Sequence, residues 1–443
     1  MQKLKNNYWV TSAFFTIAQR LSVPLFGVGS FLILIRTLDE QEMGSWVLFL
    51  NITTIIEVVR NGLVKGATVK FINSASEKDH NAIKSASLVI NIIYTVATLG
   101  ILLVGAKAIS TFLNTPQLVT MFYYYSISAA IFIPFSHLEF IQQSNMRFNG
   151  IFYSYFSKQG IFFILIVVGV LFFPDTLNVA DLVLLQAAGL LIGTIVAYMT
   201  SRTLLTHTFE VSKTWITDLW QFGKYGLYTN FSNSILTTTD QLLLGNIVST
   251  ASVAIYNAAL RITNIFIIPS VAVADILYPK SVKAHESQGT QEVKNLYEKA
   301  VGANLVPIIP MLLVILIFPE LIIRLLAGER YIEAVSVLRV SILGILVLPF
   351  LKQFGTVMNA IDKPQYNFYF VLALSCFNLI GNYLFITKMG IIGAAYATLL
   401  TYIIGFIACQ IILKQLVAST LMGVISRMLV FYRSAFLMIR KLI

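Results

Sequence analysis

Runs of apolar residues, most of them around twenty long and parted by short polar breaks, recur from one end of the chain to the other. About 20 mostly apolar residues are needed for a helix to cross a hydrocarbon core of about 30 Å. The pattern predicts twelve transmembrane helices, near 11–36, 44–66, 83–106, 118–140, 157–174, 180–203, 225–247, 252–278, 300–324, 334–359, 365–387 and 391–413. The expected fold class is an all-α membrane protein.

The longest internal polar break, Leu204 to Lys224, falls near the middle and divides the chain into two six-helix halves. A weak repeat supports the division. Leu38-Asp39-Glu40-Gln41-Glu42-Met43-Gly44-Ser45-Trp46 follows the first span, and Val248-Ser249-Thr250-Ala251-Ser252-Val253-Ala254-Ile255-Tyr256 follows the seventh. Each is a short polar turn leading to an aromatic residue. Six spans separate the two, so both halves enter the membrane in the same sense, and a site is expected where such repeats meet. The expected organisation is an N-terminal lobe over 1–205, a cytoplasmic inter-lobe loop over 206–224, a C-terminal lobe over 225–413 and a basic tail over 414–443, with the two lobes around a central cavity.

In the tail, Arg427, Arg433, Arg440 and Lys441 alternate with apolar residues at spacings that leave one face apolar. An amphipathic helix at the cytoplasmic interface fits this pattern. A thirteenth crossing is the competing reading, and it would hold Arg427 near its centre at a cost of about 2.5–3.5 kcal/mol.

Composition agrees with the pattern: 57% of the 443 residues are hydrophobic, 12% are charged, and the mean hydropathy is +0.80. The net charge of +11 could suggest nucleic acid, but the basic residues are spread over short loops and form no basic domain. They report topology instead. With the N-terminus inside, the inner loops and tails take 22 of the 31 Lys and Arg, and the outer side takes five: Arg36, Lys107, Arg324, Arg330 and Lys388. Both termini are therefore expected in the cytoplasm of a multi-pass inner-membrane protein. Lys3 and Lys5 precede an apolar stretch that runs to about Leu38 without a cleavage signature, which reads as a retained first helix. Cys376 and Cys409 both sit in apolar spans, so neither a disulfide framework nor a metal cluster is expected.

Charged groups at membrane depth are costly, and each is a functional candidate by default. The first span carries Gln19 and Arg20, the second Glu57 and Arg60, the seventh Asp240, and the eighth Arg261 and Asp275. Asn230, Asn233, Thr237, Asp240 and Gln241 share one sector of the seventh helix, and Asn257, Arg261 and Asn264 make a polar stripe on the eighth, before Pro269. These two helices are expected to line one water-filled cavity. The bland alternative is that the charges only neutralise one another, Arg20 with Glu57 and Asp240 with Arg261, at matching depths. Arg60 then has no acid left. A cavity with surplus arginine suits phosphate or pyrophosphate, because guanidinium stays charged and donates in a planar fork. His137, Glu139 and the Tyr123-Tyr124-Tyr125 run read as interfacial residues.

No Walker A loop, H-E-x-x-H or G-x-S-x-G is present, and no paired carboxylates with a histidine lie at helical depth. No catalytic constellation and no cofactor is expected, so the chain is read as a non-enzyme.

Four segments carry a family resemblance: the turn Leu38 to Gly44, Asp240-Gln241-Leu242-Leu243-Leu244-Gly245, Tyr256-Asn257-Ala258-Ala259-Leu260-Arg261-Ile262, and Gly390-Ile391-Ile392-Gly393-Ala394-Ala395-Tyr396-Ala397-Thr398. In these the chain resembles the polysaccharide transporter family, the O-antigen flippases of the multidrug, oligosaccharidyl-lipid and polysaccharide exporter superfamily. The resemblance implies two lobes that alternate between inward-open and outward-open states and carry an undecaprenyl-pyrophosphate-linked oligosaccharide outward. It implies a cationic cavity with Arg20, Arg60 and Arg261 on the helices where related flippases place positive charge. It also implies the lipid bilayer, a polysaccharide polymerase and a chain-length regulator as partners, and no nucleic acid.

On this reading Arg20, Arg60, Arg261, Asn257, Asn264, Asn230 and Asn233 contact substrate, and Glu57 and Asp240 serve as charge partners or coupling groups. Peptidoglycan-precursor relatives with 14 helices have two further crossings after the twelfth, where this chain has a 30-residue tail. A cation-coupled multidrug exporter of the same superfamily is the alternative function, and it would use acidic groups in the N-terminal lobe, whereas the first helix here carries Arg20 and no acid. A membrane glycosyltransferase or polymerase would need a large external loop or an exposed acidic site. All external loops are short.

Overall fold

The computed structural model describes the backbone of residues 2–173, 178–205 and 209–442; within its helices, the side chains of residues 2–14, 16, 17, 20, 21, 275, 279 and 434–442 lie outside the described set. Every described regular element is helical. They are α1 (Gln2–Thr37), α2 (Glu40–Arg60), a π-helical turn (Asn61–Lys65), α3 (Gly66–Ser74), α4 (His80–Phe112), α5 (Gln117–Ser144), α6 (Phe148–Phe172), α7 (Asp181–Ser201), α8 (Lys213–Ile247), α9 (Thr250–Asn264), α10 (Ile267–Gln288), α11 (Thr290–Ile317), α12 (Pro319–Leu326), α13 (Ala334–Gly344), α14 (Leu348–Ala360), α15 (Pro364–Met389), α16 (Ile391–Val417) and α17 (Leu421–Leu442), with short 3₁₀ turns at Glu77–Asp79 and Glu329–Tyr331.

Among the described residues, eight helical stretches are long and apolar enough to cross a membrane. Two bent pairs, α9 with α10 at 45° and α13 with α14 at 44°, bring the number to as many as ten. The other two expected spans fall on α1, of which Ser22–Thr37 is an apolar stretch with described side chains, and on α8, which is continuous but rich in polar residues. Rows of exposed apolar side chains such as Ile93, Val96, Ile101 and Val104 on α4 suit a lipid solvent.

Two compact units divide inside α8, Met1–Ser234 and Ile235–Ile443. In the first, α6 and α7 pack closely, α5 lies against α4 and α7, and α1 lies along α6. In the second, α15 pairs with α16, α10 with α11 and α14, and α13 with α9 and α16.

The sequence repeat has a physical basis in helix capping. The Asp39 side chain accepts from the Glu42 backbone N–H at 2.7 Å, with Glu42 returning the bond to Asp39 N in a capping box. Ser249 caps α9 in the same way, accepting from Ser252 N at 3.1 Å. Trp46 and Tyr256, the aromatic residues closing each motif, are both buried.

The tail forms a helix, α17, whose course is set by α11. The buried Glu298 carboxylate accepts from Thr420 N at 3.0 Å and Ser419 Oγ at 3.4 Å, which holds the start of α17. Further along, the Tyr432 hydroxyl donates to the Val306 carbonyl at 2.8 Å. That carbonyl lies four residues before Pro310, which has no N–H to give it. The two helices therefore run side by side in the same direction from Glu298 to Val306.

Candidate functional site

In the first unit, polar groups gather where the π turn faces α5 and α6. Arg60 ends α2 and is 2% exposed. Its guanidinium lies 3.9 Å from the Phe132 ring centroid, and its Nε and Nη2 are buried without a hydrogen-bond partner. Lys65 ends the π turn, and its Nζ pairs with Glu139 Oε1 at 2.8 Å; the other carboxylate oxygen accepts from Tyr155 at 2.9 Å. In a regular α-helix, residues five apart point about 140° away from each other. The i→i+5 bonding of the π turn instead stacks them, so Arg60 and Lys65 both reach α5.

Glu139 is thus buried inside the unit, where Lys65 and Tyr155 supply the partners that let a carboxylate stay there. Tyr125 is also buried, His137 is half-buried and Tyr123 is exposed. Lys158 lies nearby, on α6. α6 begins at Phe148, so Lys158 stands about 15 Å along a membrane helix at 1.5 Å per residue. Its Nζ is 4.8 Å from the Phe132 ring and 5.3 Å from that of Phe135.

The π turn is held by α8. Asn230 Nδ2 donates to the Val58 carbonyl at 2.8 Å. Gly62 and Gly226 meet backbone to backbone, and a Cβ on either would collide with the other's carbonyl oxygen. Asn230, expected to bind substrate, is therefore engaged in helix packing, while Asn233 is exposed.

In the second unit, α8 and α9 are joined by two side-chain bonds. Asp240 Oδ2 accepts from the Tyr256 hydroxyl at 2.7 Å, and its Oδ1 accepts from Gln241 N at 2.9 Å. Gln241 Oε1 accepts from Asn257 Nδ2 at 2.8 Å, and Asn257 Oδ1 faces Arg261 Nε at 3.4 Å. Among the described residues Asp240 makes no ion pair with Arg261, so that possible neutralising pair is corrected: tyrosine holds the acid, and an amide orients the arginine. Arg261 is half-buried, and Asn264 is exposed at the end of α9.

A further polar cluster in this unit was missed by the sequence reading. Asn378 Nδ2 donates to Thr398 Oγ1 at 3.5 Å. Asn378 Nδ2 reaches Thr401 Oγ1 at 3.3 Å, and Asn382 Nδ2 donates to Asn378 Oδ1 at 2.9 Å. Asn378 and Asn382 lie four apart on α15, a spacing that could have flagged them. The side chains of Arg20 and Asp275 lie outside the described residues. Glu57 is half-buried, and it and Arg60 both act electrostatically on Tyr125 and Tyr155.

With this geometry in view, likeness to known proteins can be stated. Residues 33–336 match the family described as polysaccharide biosynthesis protein. The chain is 24% identical over 185 residues to a probable low-salt glycan biosynthesis flippase of Haloferax volcanii, across 42% of this chain and 39% of that one. The matched stretches span about two fifths of the curated relatives' own lengths. Among solved structures, a lipid II flippase in an inward closed conformation superposes with a TM-score of 0.78 at 15% identity, covering 94% of this chain and 90% of that one. An inward-facing multidrug resistance transporter of the MATE family and the MOP superfamily gives 0.75 at 16% identity, covering 90% and 98%. At these identities the superpositions show a shared fold.

Proposed function

This chain belongs to the polysaccharide biosynthesis protein family, and from that premise we propose that it is a flippase moving a lipid-linked oligosaccharide across the cytoplasmic (inner) membrane by alternating access. The observation that carries the proposal is Arg60, a guanidinium at membrane depth with two buried nitrogens that find no partner. Burying a charge so placed is costly unless something anionic answers it. An undecaprenyl-pyrophosphate carrier bearing an O-antigen, capsule or exopolysaccharide repeat unit has the matching chemistry. Arg20 and Arg261 add positive charge, while Asn233, Asn257 and Asn264 offer amides to sugars. An inside-negative potential favours outward movement of two negative charges by about 4–5 kcal/mol at ~100 mV.

The excess of basic residues in inner loops supports a cytoplasmic N-terminus. A polysaccharide polymerase and a chain-length regulator are the partners such a flippase would hand its product to. The test is deletion of the gene in its host. Lipid-linked oligosaccharide should accumulate on the cytoplasmic leaflet and surface polysaccharide should disappear, with rescue by the wild type but not by Arg60→Ala.

Superposition on the multidrug resistance transporter favours a second reading, a cation-coupled drug exporter. Unchanged glycans together with new sensitivity to cationic drugs would select it.

A further inference from the structure

We propose that Lys158 and Arg60 form a two-cation site in the first unit, built on the ring of Phe132, that takes a phosphate or pyrophosphate group. The proposal rests on the flippase reading and adds to it a second cation and a position.

Both cations lie against one phenyl ring, Arg60 Cζ at 3.9 Å and Lys158 Nζ at 4.8 Å from its centroid, so they are less than about 9 Å apart and repel each other in a poorly screened interior. An aromatic face offsets one cation weakly and two no better. Among the described residues the neighbouring acid makes no ion pair with Lys158: Glu139 takes Lys65 at 2.8 Å and Tyr155 at 2.9 Å. Among the described residues Lys158 Nζ has only ring contacts, to Phe132, Phe135 and Tyr155.

Arg60 in turn presents two buried, unpartnered nitrogens. A guanidinium fork beside a compact ammonium is complementary to a phosphoanion: the fork takes two oxygens in one plane, and the ammonium takes a third as a point charge. Phe132 sets the spacing, and the π turn sets the direction of Arg60. The competing structural account is that the two side chains are satisfied by ring contacts alone and bind nothing.

The test uses the full chain in lipid nanodiscs, titrated with farnesyl pyrophosphate, farnesol and inorganic pyrophosphate. Lys158→Gln should weaken farnesyl pyrophosphate binding at least tenfold, and Lys158→Arg should keep it near wild type. Lys70→Gln, which removes a cation resting on Phe222 instead, should leave it unchanged. Farnesol should bind no differently to any variant. Tight binding of farnesyl pyrophosphate alone supports a lipid-borne headgroup, and equal binding of inorganic pyrophosphate supports a free anion at the same site.

Wild-type affinity for both pyrophosphates in a folded Lys158→Gln protein would overturn the proposal. Should that variant fail to insert, Arg60→Lys keeps the charge but loses the fork; it should lose about tenfold in the same titration, and an unchanged affinity would overturn the proposal equally. If Lys158→Gln weakens binding while deletion of the gene leaves glycan export in the host unchanged, the flippase reading fails and the anion site stands.

Discussion

Arg60 and Lys65, five residues apart, both turn toward α5, Arg60 onto the Phe132 ring at 3.9 Å and Lys65 onto Glu139 at 2.8 Å. The π turn between them makes this possible, and its fit against α8 is tight. A Cβ at Gly62 meets the Gly226 carbonyl oxygen and, at 2.7 Å, Asn230 Nδ2. Gly62→Ala should therefore cost about 1–3 kcal/mol through forced displacement of α8. The check is a lower melting temperature in detergent, with Gly66→Ala, where a Cβ meets nothing within 4 Å, as the neutral control.

Removing one partner of a buried ion pair is worse than removing both. Lys65→Met strands Glu139 and should destabilise the first unit by about 3 kcal/mol, the low end of the usual range because Lys65 is 30% exposed at its side chain. The double variant Lys65→Met with Glu139→Gln should recover most of that loss. A double-mutant cycle on thermal unfolding measures the coupling, and simple additivity of the two changes would show that the pair contributes nothing.

Tyr256→Phe deletes a donor to a buried carboxylate and should cost about 1.5–3 kcal/mol. Replacing both partners, with Asp240→Asn and Tyr256→Phe together, should be milder than Tyr256→Phe alone. If the single variant melts like the wild type, the bond at 2.7 Å has no share in holding α8 to α9.

At the tail, Tyr432→Phe leaves the Val306 carbonyl, already deprived by Pro310, without a donor, at a cost of about 1 kcal/mol. A protein with Tyr432→Cys in closed vesicles should resist a membrane-impermeant maleimide from either side, because that position sits beside Val306. Met422→Cys, at the exposed start of α17, should react from the side that carries the inner loops. Rapid labelling at position 432 would place this part of α17 away from α11.

Helices at the expected spans were legible because each apolar run is a local signal, decided by residues that are near neighbours in the chain. The two motif starts were legible for the same reason: Asp39 and Ser249 cap helices with atoms only three residues away. The start of α6 was less legible: the helix begins at Phe148, nine residues before the expected span, since a helix can start in polar sequence when its neighbours cover it.

Pairing was a different matter. The sequence by itself determined that this chain is a helical membrane protein and placed Glu57, Arg60, Asp240 and Arg261 within expected spans, because both follow from hydropathy along a one-dimensional string. Only the tertiary structure decided that Glu139 answers Lys65 across 74 residues and that Tyr256 rather than Arg261 holds Asp240. It also decided that Arg60 shares a ring with Lys158. Those outcomes depend on the rotation of each helix about its axis, which one π turn can shift by more than a quarter of a circle, and on which neighbour that rotation brings within about 3 Å.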